Sequence, residues 1–407
     1  MTNRYLLTDL GVVSALGTGV AETEANLFSG DTSGMKPLDG LVGGDRTVFG
    51  FVRGEVKSGA PTAVGRLLDA VLAQLDLASL LRVVDPSRVG VVLGTSNSTM
   101  EEFTENPDRI DMAYPAEFVK ARGGFGGPAW CVSTACSSSA KVFASARHLL
   151  EVGICDAVVV GGADAYTRTV VEGFHALEAV SPSLTRPLCA DRDGINLGEG
   201  AALFVMRRAD DGAAADASDA VCLLGVGESS DAYHLTAPDP EGKGAEASMR
   251  TALADAGLAA EDVDYVNLHG TGTTYNDAME CAAVRRVFGD AVAASSTKPL
   301  TGHCLGAAGA IEAALCWIAL RRGRGLPPHV AAPVDRELAP FRIPVVGDVT
   351  PVRTILSNSF AFGGSNASVI FTRAASAAKI LSGSSRFAIS SSRNENEFRK
   401  FSRSPFT

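Results

Sequence analysis

A single thiol set among small residues is the most reactive group this chain offers: Ser133-Thr134-Ala135-Cys136-Ser137-Ser138-Ser139-Ala140 stands just ahead of a run with helical spacing. Apolar residues at Val142, Phe143, Ala146, Leu149 and Leu150 share one helical face over 141–151, and Gly153 supplies an exit. Cys136 is therefore expected at a helix N-terminus, where unpaired amides and the positive end of the macrodipole favour thiolate over thiol. A thiol of ordinary pKa, about 8.5, is only roughly 3% ionised at pH 7, and lowering that value to about 7 raises the reactive fraction some ~15-fold. A cysteine taken at random is more often a small buried residue. Here the small neighbours leave room for a substrate, and His269, Lys298 and His303 downstream supply partners for an attacking sulfur.

The elements that must carry these groups follow from the pattern of apolar residues. A strand is expected over 5–19, broken by a glycine-rich turn, then a short helix over 22–29 and a longer one over 63–81. The β-rich run 89–93 reads as a buried strand, and the polar stretch 97–128 as a loop with one short helix over 115–122. After the Cys136 helix, the continuous apolar run 156–164 suits a strand covered on both faces, and a further strand is expected over 201–206. The alanine and aspartate stretch 209–220 reads as a linker between two halves. Strands over 221–227 and 265–268, with a helix over 244–256 between them, then lead to His269, and a helix over 276–288 leads towards Lys298 and His303. A helix over 307–321, strands near Val345 and over 355–357, and a last strand over 367–372 complete the alternation. Such βα alternation implies an α/β fold with a mixed or mostly parallel sheet between helical layers.

The 407 residues, 46% hydrophobic and 20% charged, suffice for one large α/β core or two packed halves. A formal charge of −10 argues against general affinity for nucleic acid or an anionic membrane, and an acidic protein partner would need a local basic patch. No apolar run is long enough for a spanning helix and the first residues lack the pattern of a signal peptide, so a cytoplasmic location is expected. The eight cysteines show no paired metal-type spacing. Residues 375–407 are serine-rich and basic with little apolar period, and read as a flexible tail.

Taken in order, the motifs T-A-C-S-S-S around Cys136, H-G-T-G-T from His269 with Asn276-Asp277, K-x-x-x-G-H-x-x-G-A-A-G from Lys298 and F-x-F-G-G-S-N from Phe360 carry a resemblance. Over residues 5–373 the chain resembles β-ketoacyl-[acyl carrier protein] synthases of the two-histidine type, which share the thiolase fold of two related α/β halves in αβαβα layers. The resemblance implies a half over 1–210 bearing the nucleophile and a half over 220–374 bearing both histidines.

It also implies a reaction. Cys136 would take an acyl chain from carrier protein. His269 and His303 would then stabilise the enolate formed as malonyl-carrier protein loses carbon dioxide, and the carbanion would attack the acyl-enzyme. By the same resemblance Lys298 holds the histidine network, with Glu280 as its carboxylate partner and Asp277 in support. Thr271 and Thr273 would bond the pantetheine arm, and Phe360 would line the substrate site. Gly363 would let the chain turn so that the Phe362 amide joins that of Cys136 in an oxyanion hole, with the Phe362 ring gating malonyl entry. No metal or redox cofactor is implied, since phosphopantetheine arrives on the carrier. Docking of an acidic carrier protein points to Arg66, Lys120 and Arg122 as a basic patch near the entrance.

A homodimer is expected, or a heterodimer with a ketosynthase-like chain. The alternative of a non-catalytic chain-length subunit is disfavoured because such subunits lack the nucleophile. A thiolase proper wants a second cysteine where this chain has Phe362-Gly363-Gly364-Ser365-Asn366. Departures from the family pattern are Cys189, where relatives commonly carry aspartate, and a shortened stretch between Gly94 and Cys136. The elongation served is that of fatty acids or of polyketides and polyenes.

Overall fold

A computed structural model describes residues 5–102, 110–209 and 220–374. The expected linker core at 210–219 and the tail at 375–407 lie outside the described residues. The first half of the chain runs β1 (Tyr5–Ser14), β2 (Gly17–Thr18), α1 (Val20–Ser29), β3 (Met35–Asp39), β4 (Arg46–Gly50), α2 (Ala63–Leu72), α3 (Leu77–Val83), β5 (Val89–Gly94), α4 (Tyr114–Gly123), β6 (Ala129–Val132), α5 (Ser138–Glu151), β7 (Ala157–Asp164), α6 (Arg168–Ala176) and β8 (Gly200–Arg208). The second runs β9 (Val221–Ser230), α7 (Lys243–Ala256), β10 (Tyr265–Asn267), α8 (Thr274–Phe288), β11 (Ala293–Ser295), α9 (Lys298–Thr301), α10 (Ala308–Arg322), β12 (Thr354–Ala361) and β13 (Ser365–Arg373).

Pairing of the strands repeats. The order β1-β8-β7-β5-β6 in one half is matched by β9-β13-β12-β10-β11 in the other, and contact between β1 and β9 joins both into an eleven-stranded sheet that includes β2. In each set the first two ladders are antiparallel and the last two parallel. Two related halves are thus visible in topology alone.

The layers follow from which faces are apolar. Every residue of β5 and β7 is buried, as strands sandwiched by helices must be. α10 is buried from Ala308 through Leu320, so it has no solvent face and belongs inside. It packs with α5 against strands of both halves, forming the middle layer. α2 and α4 cover the outer face of the first half, α7 that of the second, with α8 beside it. Close approach in the middle layer needs glycine: a Cβ on Gly94 would lie 2.3 Å from the Ser139 amide nitrogen, and one on Gly309 2.7 Å from that of Ala140.

Some local expectations fail for identifiable reasons. The helix expected over 63–81 breaks in two: Gln74 turns its amide to β1, accepting from the Val12 N–H at 2.9 Å, and Asp76 caps α3 by accepting from the Ser79 N–H at 3.0 Å. No strand forms near Val345, which lies 61% exposed in a loop. α5 begins at Ser138, ahead of the apolar period, where the hydroxyls of Ser137 and Ser138 bond the carbonyls of the turn before it. The short strands β6 and β11 and the β3–β4 hairpin were not distinguishable from loop by periodicity. No described helix is long and apolar enough to cross a membrane.

Candidate active site

Cys136 sits on a strained turn between β6 and α5. Ala135 is left-handed, with φ of 52°, a conformation that costs a residue with a Cβ and persists only when the surroundings hold it. The serines of the motif do so. The Thr134 N–H donates to Ser138 Oγ at 2.9 Å, Ser138 Oγ donates to the Ala135 carbonyl, and Ser137 Oγ donates to the Thr134 carbonyl at 2.9 Å and pairs with Ser365 Oγ at 3.1 Å. The last bond crosses to the second half, at the start of β13.

The structure brings both histidines to this thiol. His303 places Nε2 2.8 Å from Cys136 Sγ, and its ring centre lies 5.2 Å from that of His269 at an interplanar angle of 84°. His303 is held by the opposite half: its N–H donates to the Asn196 carbonyl at 2.7 Å, and its carbonyl accepts from the Gly198 N–H at 3.1 Å. His269 follows β10, and its Nδ1 lies 3.4 Å from Lys298 Nζ. Lys298 Nζ also donates to the His269 carbonyl and to Glu312 Oε1, the latter at 2.6 Å, all of them buried.

The carboxylate partner of Lys298 is therefore Glu312, not Glu280. Glu280 instead accepts from the N–H groups of His269 at 2.8 Å and Gly270 at 2.7 Å and from Asn358 Nδ2 at 3.2 Å, fixing the backbone that carries the imidazole. The sequence held a signal for Glu312: it is the lone charge in the apolar run of α10, and a buried carboxylate needs a cation or several donors.

Asp277 braces the same loop, accepting from the Gly272 N–H at 3.2 Å and, across the halves, from the Leu188 N–H at 2.9 Å. Thr271 and Thr273 bond each other through their hydroxyls at 2.9 Å and face the cleft. Phe360 is buried with its ring centre 6.3 Å from that of His269. Phe362, on a turn where Gly363 has φ of 79°, is 38% exposed and stacks on Phe174. Beside Cys189, Arg186 pairs with Asp191 at 2.9 Å. Arg66 lies on α2 and Lys120 and Arg122 on α4; none lines the cleft, and Arg122 is paired with Asp69 at 2.7 Å.

These groups open onto a cleft of about 350 Å³ lined by Cys136, His269, His303, Thr271, Thr273, Phe360, Phe362, Phe174 and Asn366, among others. Its electrostatics correct the expectation of a resting thiolate. Burial pushes the Cys136 thiol up to about 12, outweighing the Lys298 charge and the amides of Phe362 and Cys136, which act the other way. Burial, reinforced by the Lys298 charge, holds both imidazoles well below the usual 6.5. The resting site is a neutral thiol beside neutral rings.

One thiol sulfur and two ring nitrogens lie within 4.8 Å of one another, a set that could hold a metal ion. The Lys298 ammonium argues otherwise. It has only protons to give, so Nδ1 of His269 accepts and the ring proton stays on Nε2, which makes that atom a donor and not a ligand.

Paired α/β halves with a buried thiol facing two imidazoles define a condensing enzyme of the thiolase fold. Residues 45–212 match the beta-ketoacyl synthase N-terminal domain and residues 220–332 its C-terminal domain. The 3-oxoacyl-[acyl-carrier-protein] synthase 2 of Coxiella burnetii is 32% identical, over 91% of this chain and 98% of that protein. Nodulation protein E of Rhizobium meliloti is 41% identical over 252 residues, which is 61% of this chain and 62% of that protein's length. A solved complex of the ketosynthase ApeO with its chain length factor ApeC, from Xenorhabdus doucetiae, matches with a TM-score of 0.84 at 36% identity, over 91% of this chain and 98% of that one. This chain belongs to the beta-ketoacyl synthase family.

Proposed function

We propose that the protein is a 3-oxoacyl-[acyl carrier protein] synthase, joining an acyl chain held on Cys136 to malonyl-carrier protein with release of carbon dioxide. The observation that carries this reading is the placement of His303 Nε2 2.8 Å from the sulfur, with His269 beside it and backed by Lys298.

With the resting thiol neutral, His303 takes the proton as sulfur attacks the incoming thioester and returns it to the pantetheine sulfur that leaves. The amides of Phe362 and Cys136 receive the oxyanion. Malonyl-carrier protein then enters past the Phe362 ring, its arm against Thr271 and Thr273. The Nε2–H of His269 donates to its thioester oxygen, joined by His303 once its ring proton has passed from Nδ1 to Nε2, while the carboxylate departs as carbon dioxide, leaving its bonding pair on the enolate. That carbon attacks the acyl group on Cys136, and the sulfur leaves as thiolate and is protonated from water. No metal or redox cofactor is required, and phosphopantetheine arrives on the carrier. Chains in the cytoplasm would meet such carriers, and all eight cysteines are free thiols, in keeping with a reducing compartment.

The acceptor is a fatty-acid or polyketide intermediate, and the partner is an acyl carrier protein. The protein assembles as a homodimer or with a ketosynthase-like second chain, the latter supported by likeness to the ApeO–ApeC complex. Retention of the thiol and both histidines favours the catalytic subunit over a non-catalytic one. The test is intact mass after exposure to a panel of acyl-carriers: the wild type gains the acyl mass, and Cys136→Ala gains none. A Cys136→Ala protein that still condenses would refute the assignment.

A further inference from the structure

We propose that Phe174 is a positioning residue that latches the Phe362 gate in its closed state; this rests on the reading of Phe362 as a gate. The two rings stack with centres 5.7 Å apart and planes 25° from parallel, and both line the cleft above a thiol that is only 6% exposed. The turn bearing Phe362 has free space on one side. Gly363 faces open space, with nothing within 4 Å of where a Cβ would stand, and its φ of 79° suits only a residue free of that atom. The turn is pinned through its main-chain groups: the Gly363 N–H donates to the Leu235 carbonyl at 2.7 Å, and the Gly364 carbonyl accepts from the Asp231 N–H at 2.9 Å and from Asn366 Nδ2 at 3.3 Å. These fix the main chain and leave the ring to find its own support, which Phe174 provides.

Phe174 is a firm support because of where α6 places it. It packs on a small apolar cluster containing Val171, Ile195, Leu197 and Leu305. Leu197 forms a backbone bridge with His303, and Leu305 follows that histidine by two residues. The latch thus stands on the same packing that holds the imidazole beside the sulfur. A gate resting on it stays in register with the site it covers.

An aromatic pair of this kind shifts a two-state gate by roughly 2- to 12-fold. The test reads thiol accessibility first, because that does not depend on the reaction. Alkylation of Cys136 by iodoacetamide, followed by peptide mapping, is expected to run faster by that factor in Phe174→Ala and in Phe174→Leu. The leucine variant keeps the apolar packing of the cluster and so keeps the fold. Phe174→Tyr, which keeps the ring, should alkylate at the wild-type rate. With malonyl-carrier protein, the two unlatched variants should also release more carbon dioxide per condensation than the wild type, because a gate that swings freely admits malonyl before Cys136 is acylated.

Equal alkylation rates in wild type, Phe174→Leu and Phe174→Ala would overturn the latch. So would a fall in all partial reactions in proportion, which is what a merely structural residue gives. If the wild type forms no acyl-enzyme at all, it is the condensing function that fails, while the alkylation rates still judge the latch.

Discussion

At the scale of the residue, the site works by fixing where protons are. Lys298, held by Glu312 at 2.6 Å, leaves His269 no choice of tautomer, and the burial that raises the thiol pKa also keeps both rings neutral. Neutral N–H donors suit an enolate that exists only briefly, since they stabilise the developing charge without protonating the carbon beforehand. Glu312→Gln would strand a buried ammonium and should lower stability by about 3–5 kcal/mol in urea denaturation. Lys298→Met combined with Glu312→Leu removes both charges and should recover most of that stability. Condensation by this double variant should remain down roughly 100-fold, because the His269 proton is no longer directed to Nε2. Recovery of activity along with stability would show the pair to be structural.

At the scale of the element, the placement of Cys136 depends on how closely β5, α5 and α10 approach. The backbone of Ser139 stands where a Gly94 side chain would be, and no flexible atom there can yield. Gly94→Ala is expected to push α5 outward, costing about 1–3 kcal/mol and slowing acylation of Cys136. Thermal denaturation and the rate of mass gain from acyl-carrier measure the two effects. A change in stability with acylation untouched would mean that the turn at Ala135 holds the sulfur independently of the helix behind it.

For the whole molecule, the halves meet through groups that belong to neither site wall. His329 is one: its Nε2 donates to the Pro187 carbonyl of the first half at 3.1 Å, and its Nδ1 accepts from the Ser296 N–H of the second at 3.4 Å. Burial lowers its pKa from 6.5 to about 4. Between these values the unfolded chain binds a proton at this position that the folded chain refuses, so stability rises with pH there. This contribution is complete above pH 6.5 and is lost as the pH falls towards 4. It amounts to on the order of 3 kcal/mol across the window. His329→Gln should remove that slope, seen as a smaller difference between unfolding midpoints at pH 7 and pH 4.5 than the wild type shows; an unchanged difference would place the acid sensitivity in another group.

Local order carried much of this protein in plain sight. The thiol among small residues, the imidazole after a short strand, the glycines of the turn at Phe362 and most helices could be read because each rests on neighbours a few positions away, which sequence spacing records. What spacing does not record is which distant groups share one buried volume. Glu280 stands closer in sequence to His269 than Glu312 does, yet folding gives the ammonium to Glu312 because α10 runs through the middle layer, where no water can compensate a charge. The same enclosure turned an expected thiolate into a neutral thiol: a helix start favours the anion by a little, and desolvation by the packed halves opposes it by more. Motif and period therefore determined the chemistry available to this chain, while the dielectric and the choice of partners were decided only when its two halves closed on each other.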